Sequence, residues 1–513
     1  MTAFCSPVPV SLDGIPQSSA AQQDSRRPAT PGVRVLKFGG TSLDGPPRLR
    51  NAGQIIRQTA AGQRLVVVVS AMAGITDTLS AAIEAAENGE TPEAPCDQLI
   101  ERHIACSREL LDENARSSYE NHLCQTVGQL RRWLDGVRLL GECPPVTHHR
   151  ILACGERLCA PLLAALLRCI GRPAKVFDGQ QLIAIQPASH GRIDLDETRR
   201  RAQTILGPRP DGEVAVVTGF TASDATGRTT TLGRGTSDYS ATLLAAALDA
   251  CEVQIWTDVD GVLSIDPKLT AEASPLNGLS YDEATYLAEL GAEVLHPKAI
   301  APLAARKIPL RIRNSLRPDR PGTLVNRRDA SRTNRAVTTL PEVVRFRLRP
   351  SEPRRLLDSW LLSACPEPPL LLEWETSGRS VSVVVRQADA QRFEKALRPS
   401  LRNPTDLVLV ERQELALIAT LGPLGALFSA LEGLTEQGIE ARNLNLPDAS
   451  RTRATLLVER SELRRAARYL HRSFLTGFDT GRADSGRADA CQPPLYAVDP
   501  ATQAAQPRDL AVG

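Results

Sequence analysis

VRVLKFGG, residues 33–40, is a short apolar strand that breaks into two glycines, and LVVVVSAMAG, residues 65–74, is a second strand whose centre is continuously β-branched. An apolar run without polar alternation is the pattern of a strand buried on both faces of a parallel sheet. Residues 48–63, between the two, carry a helical pattern. The same order of strand, loop, helix and strand returns at Ile151, at AKVF (174–177), at residues 214–218 and at residues 253–256, while 81–140 is largely helical. Residues 33–326 therefore predict an α/β sandwich with a mainly parallel sheet, whose ligands bind at the carboxyl ends of the strands.

Beyond the arginine-rich stretch 326–335 the composition changes. Two smaller units are expected, at 327–401 and 402–475. Each sets strand patterns (SVSVVVR at 380–386; LALIATLG at 415–422 and ATLLVER at 454–460) beside helical ones, the β-α-β-β-α-β order of ferredoxin-like modules. Residues 1–32 and 476–513, rich in small and polar residues, read as disordered tails. A chain of 513 residues exceeds one ordinary domain. Its net charge of +2 supplies no field that would mark a nucleic-acid binder. The eleven cysteines show no metal-type spacing and read as reduced thiols, so no protein-held metal site is expected. No apolar run approaches the ~20 residues needed to cross a bilayer. The first residues lack a charged segment followed by an apolar core. The expectation is a cytoplasmic protein with no membrane partner.

Five short strings carry chemistry. In KFGGTS (37–42), Gly39 and Gly40 let phosphate oxygens approach backbone N–H groups, and Lys37 supplies a compact cation; alone, the string also fits an ordinary strand-to-loop turn. In TLGRGTSDYSA (231–241), Arg234 in a glycine-flanked turn suits a bidentate clamp on a carboxylate, and Ser237 and Asp238 stand where a helix opens toward an anion. WTDVDGV (256–262), followed by Asp266-Pro267-Lys268, ends a strand in an acidic loop suited to ribose or metal contacts, or to a plain turn. ACGER (153–157) places Glu156 at a helix mouth, either as a cap or as a receiver of an ammonium group. LSYDEA (279–284) is a capped helix start, and His296, before a proline in the segment that follows, reads as structural.

Taken in order, KFGGTS, SAMAGITD, CGER, GFTASDATGRTTTLGRGTSDYSA, WTDVDGVLSIDP, LSYDEATYLAELGAEVLHPKAI and PGTLV resemble the aspartate kinases of the amino acid kinase family, across nearly all of residues 33–326. The resemblance implies a three-layer kinase domain followed by two ACT domains, with ATP and Mg2+ as cofactors. It implies transfer of the γ-phosphoryl group to the side-chain carboxylate of L-aspartate, the first step toward lysine, threonine and methionine. It also implies a homodimer or higher homo-oligomer built through the ACT domains. By the same resemblance Lys37 meets the transferring phosphates beside Gly39 and Gly40. Ser70, Thr76 and Ser237 line the substrate pocket, Glu156 meets the substrate ammonium and Arg234 its α-carboxylate. Thr257, Asp258 and Lys268, the last in an arginine's usual place, line the nucleotide site. The attacking carboxylate, with a reference pKa of ~3.9, is already ionised at neutral pH and needs no base. Asp238 is accordingly read as an orienting group. Alternatives are a sibling kinase of the same family or a catalytically weak amino-acid sensor; the retained Lys37, Glu156, Arg234 and Asp238 speak against the sensor.

Three departures from the family pattern carry expectations of their own. Thr236 stands where glycine is usual, which predicts backbone strain. Glu293 stands where some relatives have lysine, which removes one nucleotide contact. In the ACT region Pro423 deletes an N–H donor from the second unit's turn, and the first unit lacks a clear glycine-containing strand-to-helix turn. Weak or absent inhibition by lysine or threonine is expected.

Overall fold

The computed structural model describes residues 32–59, 63–186, 192–207, 209–233, 235–292, 294–327, 335–350, 370–374, 380–401, 407–422, 424–445 and 453–476. The expectations for Arg234, Glu293, Pro423 and nearly all of both tails lie outside these residues.

The central sheet has eight strands in the order Gly278–Ser280, Thr323–Asn326, Leu310–Asn314, Glu252–Thr257, Val33–Phe38, Arg64–Val69, Val214–Thr218, Ala174–Phe177. Every neighbouring pair is parallel except Leu310–Asn314 with Thr323–Asn326. The two-residue period of a strand explains the unbroken apolar runs. Leu36, Phe38, Val67 and Val69 face one helical layer, where the helices Pro46–Thr59, Glu113–Leu140 and Cys154–Cys169 supply Leu49, Ile56, Leu123, Leu130 and Leu158. Val35, Val66, Val68 and Val253 face the other, formed by Leu195–Leu206, Ser237–Ala247 and Tyr281–Glu289. The result is the predicted three-layer sandwich with a mainly parallel sheet. A small sheet of Ile193–Asp194, Ala184–Ile185, Thr221–Ser223 and Thr229–Thr231 stands beside it.

Register sets the height of the strand ends. Phe38 pairs with both Val69 and Trp256, and Val69 pairs with Thr218. Gly39, Ser70, Gly219 and Thr257 therefore share one rim. The main chain closes it: Gly39 N–H donates to the Trp256 carbonyl (3.1 Å), Ser70 N–H to Phe38 (3.2 Å) and Gly219 N–H to Val69 (2.9 Å).

The C-terminal part is a six-stranded antiparallel sheet. Its strand Ala336–Pro350 serves two cores. Val344, Phe346 and Leu348 pack with Val381, Val383 and Val385 and with Phe393 and Leu397 of the helix Gln387–Leu401. Val337, at the other end of the same strand, packs with Ala416, Ile418, Leu427, Leu470 and Phe474. A division between residues 401 and 402 leaves Val337 in the first unit by sequence, although its packing lies in the second. The opposite face of this sheet, with Val343, Val384, Leu417 and Leu457, rests on Leu290 and Tyr286 of the three-layer domain. Tyr286 Oη donates to the Ala454 carbonyl (2.8 Å).

Gly291 sits at this junction with φ +121°, and a Cβ there would press into the Thr339 carbonyl. Gly291→Ala combines a backbone conformation that L-residues resist with a clash against main chain. A cost on the order of 2 kcal/mol is expected, read as a lowered urea midpoint; an unchanged midpoint would show that the junction is soft.

No described helix is long and apolar enough to cross a membrane. The described cysteines are free, and Cys96, Cys106, Cys154 and Cys159 are buried. Burial pushes the Cys96 and Cys106 thiols up to about 11 and Cys154 to about 12, so they stay protonated at neutral pH.

Candidate active site

Lys37 shares the face of Val35, so its side chain rises toward the helix Ser237–Ala247. There its ammonium meets Asp238 Oδ1 at 2.6 Å, with both side chains about nine-tenths buried. A cation this desolvated is tied to its counter-ion: removing one partner of such a pair typically costs ~3–5 kcal/mol. The ammonium also lies within 3.4 Å of where a Gly39 Cβ would stand, and a Gly40 Cβ would lie 2.8 Å from the Ala71 carbonyl. Gly40 is therefore a spatial requirement of the rim, while a Gly39 Cβ would make only ordinary contact. Past them, Ser42 Oγ pairs with Ser315 Oγ at 2.8 Å.

Ser70 and Ser237 meet across the rim, Oγ to Oγ, at 2.6 Å. Ser237 and Asp238 form the first turn of their helix, whose leading N–H groups have no intrahelical acceptor. The expected strain at Thr236 is not found. Thr236 has φ −91°, and the left-handed conformations fall on Gly233 (φ 103°) and Gly235 (φ 72°), which both precede it. Thr236 Oγ1 then donates to the Gly233 carbonyl at 2.5 Å. Strain appears instead at Phe220, a non-glycine residue with φ 67°. Its N–H donates to Ser240 Oγ (2.9 Å) and its carbonyl accepts from Leu232 N–H (2.9 Å).

Glu156 reaches the rim from a third direction, on a helix preceded by the helix Pro145–Leu152 and Ala153 rather than by the strand expected at Ile151. Gly155 lets the helix Cys154–Cys169 approach so closely that an added Cβ would lie 2.6 Å from Ala71 Cβ. At that range Glu156 Oε1 accepts from Ala71 N–H at 3.1 Å, while the buried Oε2 has no partner. Burial raises the carboxyl to about 7; the Ala71 N–H and, less strongly, Lys37 oppose the rise. An unpaired carboxylate oxygen in a buried site is a receptor for a cation. Thr76 is half-buried in the first turn of the helix Ile75–Glu87, just past Gly74 (φ 77°).

On the far side of Lys37, Thr257 Oγ1 donates to Asp258 Oδ1 (3.1 Å), and Asp258 is exposed. Lys268 lies exposed farther along this loop, where its N–H donates to Asp266 Oδ1 (2.8 Å). The loop is held by contacts to distant segments that the local sequence does not mark. Asp260 accepts from Asn314 Nδ2 (2.7 Å) and pairs with Arg317 (2.8 Å). Gly261 (φ 115°) lies against Thr323, whose Oγ1 accepts from Val262 N–H (2.9 Å). Arg157, beside Glu156, pairs with Asp178 at 2.8 Å. His296 caps a short 3₁₀ turn by accepting from Lys298 N–H (3.2 Å), the structural role expected of it. Among the described residues no group of three or more His, Cys, Asp or Glu side chains is arranged to hold a metal ion.

Residues 32–314 match the Amino acid kinase family. Among curated relatives, the chain is 34% identical over 294 residues to the chloroplastic bifunctional aspartokinase/homoserine dehydrogenase 2 of Arabidopsis thaliana, covering 57% of this chain and 32% of that one. It is 35% identical over 308 residues to the chloroplastic aspartokinase 3 of the same plant, covering 58% and 54%. The chain thus spans about a third of the first relative's length and about half of the second's. Among solved structures, E. coli aspartokinase III in complex with aspartate and ADP, in its R-state, superposes with a TM-score of 0.75 at 26% identity, covering 86% of this chain and 100% of that one. The same enzyme with lysine and aspartate, in its T-state, superposes with a TM-score of 0.65 at 26% identity, covering 86% and 99%. With more than half of its residues matched and a three-layer sandwich that carries the matched motifs on one rim, this chain belongs to the amino acid kinase family.

Proposed function

We propose that the chain is an aspartate kinase, transferring the γ-phosphoryl group of ATP to the β-carboxylate of L-aspartate to give 4-phospho-L-aspartate, on the way to lysine, threonine and methionine. One observation carries the reading: the buried Lys37–Asp238 pair and the partnerless Oε2 of Glu156 stand on one rim. That arrangement supplies a cation for phosphate and an anion for an ammonium group. Relatives named as aspartokinases, and the E. coli enzyme with aspartate and ADP bound, support the choice of substrates.

Phosphoryl transfer needs positioning and charge neutralisation more than covalent help. In this reading Lys37 neutralises the transferring group, and Gly39 and Gly40 admit its oxygens to the backbone. Asp238 orients Lys37. Glu156 takes the substrate ammonium, Arg234 clamps the α-carboxylate, and Ser70, Thr76 and Ser237 line the pocket between. Thr257, Asp258 and Lys268 flank the nucleotide. A Mg2+ ion carried on nucleotide phosphates needs only one or two protein carboxylates. Asp238, the buried acid at the mouth, is the residue that would hold it. When bound, the ion offsets charge on the β- and γ-phosphates.

The six-stranded sheet and its helices are read as paired ACT domains that hold a homo-oligomer together. In the first unit the strand Val381–Arg386 runs straight into the helix Gln387–Leu401 with no turn between them. In this reading inhibition by lysine or threonine is weak or absent.

Trapping the acyl phosphate with hydroxylamine tests the assignment. With ATP and Mg2+, L-aspartate should yield hydroxamate at a rate well above L-glutamate, N-acetylglutamate or carbamate. No product from aspartate, or a faster rate with glutamate, would assign the chain to a sibling kinase.

A further inference from the structure

The strand Thr229–Thr231 is fastened at both ends to the segment that carries Glu156. At one end Thr229 Oγ1 donates to Gln180 Oε1 (2.6 Å) and accepts from Nη2 of Arg157 (3.4 Å), the residue next to Glu156. At the other end Thr231 Oγ1 lies 2.8 Å from His149 Nδ1. His149 stands on the helix Pro145–Leu152, which is separated from the Glu156 helix only by Ala153. From Thr231 the chain passes to Gly233, whose carbonyl accepts from Thr236 Oγ1, and then to Ser237 and Asp238. The His149–Thr231 contact therefore joins the segment that carries Glu156 to the strand that leads into the 233–238 turn, as the Arg157–Thr229 contact does at the strand's other end. His149 is half-buried beside His148, their rings 5.9 Å apart and edge-on. Burial, and then the His148 charge, lower its proton affinity. A neutral imidazole pairs readily with a hydroxyl, as donor or acceptor.

We propose that His149 is a positioning residue for the amino-acid side of the cleft, setting through Thr231 the distance between the Glu156 helix and the 233–238 turn. It makes no contact with substrate in this account. The inference rests on reading the cleft as an aspartate site.

Steady-state kinetics on His149→Ala, His149→Asn, Thr231→Val and the His149→Ala/Thr231→Val double variant test it. A single neutral hydrogen bond is worth about fivefold in an equilibrium constant. His149→Ala and Thr231→Val should each raise the aspartate KM by about that factor, leaving kcat and the ATP KM within about twofold. The double variant should be no worse than either single one, because both remove the same contact. His149→Asn, whose amide reaches where Nδ1 stands, should recover most of the loss. Should His149→Ala fail to fold, the nearly isosteric Thr231→Val carries the test. Additive losses, an unchanged aspartate KM, or an equal rise in the ATP KM would each overturn the proposal while leaving the aspartate reading intact. No aspartate-dependent turnover in the unaltered chain would overturn both.

Discussion

Lys37→Ala is expected to lower kcat by two to three orders of magnitude, roughly 3–4 kcal/mol of transition-state stabilisation, with only a modest change in the aspartate KM. A cation on the transferring phosphates is worth most when charge redistributes in the transition state, so its loss falls on turnover. The same substitution strands Asp238, about nine-tenths buried and paired at 2.6 Å, without a counter-charge. A stability loss of ~3–5 kcal/mol should accompany the kinetic one. The Lys37→Met/Asp238→Asn double variant separates the two effects. It removes both charges of that pair, so urea unfolding should return toward the unaltered midpoint while turnover stays low. Near-normal turnover in either variant would remove Lys37 from the chemistry.

Glu156→Gln should trade affinity for stability. The amide can keep the bond from Ala71 N–H, but it offers no charge to an ammonium group. A charge-assisted hydrogen bond contributes about 1.5–3 kcal/mol, so the aspartate KM should rise between about tenfold and a hundredfold. Stability should move the other way. The carboxyl rises from 4.5 in the unfolded chain to about 7 in the folded one. The folded state therefore binds the extra proton, and stability falls as pH climbs through that window. Above pH 7 the full cost of the buried charge, up to about 3 kcal/mol, is present; below 4.5 it is absent. Glu156→Gln removes that cost, so its thermal midpoint should exceed the unaltered one most at pH 8 and converge with it near pH 4.5. The kcat/KM for aspartate in the unaltered chain should fall as pH drops below about 7, as the proton occupies the group that receives the ammonium. An equal midpoint at pH 8, or a pH limb that survives in the glutamine variant, would contradict this assignment.

The parts legible in the sequence are those that local pattern dictates. The continuous apolar run at 65–69 and the mainly apolar stretch 33–38, interrupted by Arg34 and Lys37, belong to strands with a core on each face, and the structure gives Val35 and Leu36 to opposite cores. Lys37 and Asp238 could be singled out because each sits in a short string at the end of a strand or the start of a helix. What the string cannot show is the approach of distant segments. The raised Glu156 carboxyl depends on Gly155 lying against Ala71, 85 residues away from Glu156 in the chain. The relief at Thr236 depends on which residue takes the left-handed turn, a choice that the two preceding glycines leave open. Asp260 and Asn314 are joined across 54 residues, and no local signal marks Asn314 as a loop anchor. The strand Ala336–Pro350 reads locally as one element of one unit. Only the packing of Val337 with Phe474 and of Phe346 with Phe393 shows that its halves serve different cores.

The central claim is that this rim joins phosphate to the side-chain carboxylate of aspartate, and phosphorus NMR of the reaction mixture tests it most directly. With the chain, ATP, Mg2+ and L-aspartate labelled with oxygen-18 in its β-carboxylate, an acyl-phosphate resonance should grow in step with ADP. That resonance should carry the isotope shift of a labelled bridging oxygen, and Lys37→Ala should abolish it. ADP formation without an acyl phosphate, or an acyl phosphate that forms equally well with glutamate in place of aspartate, would contradict the account.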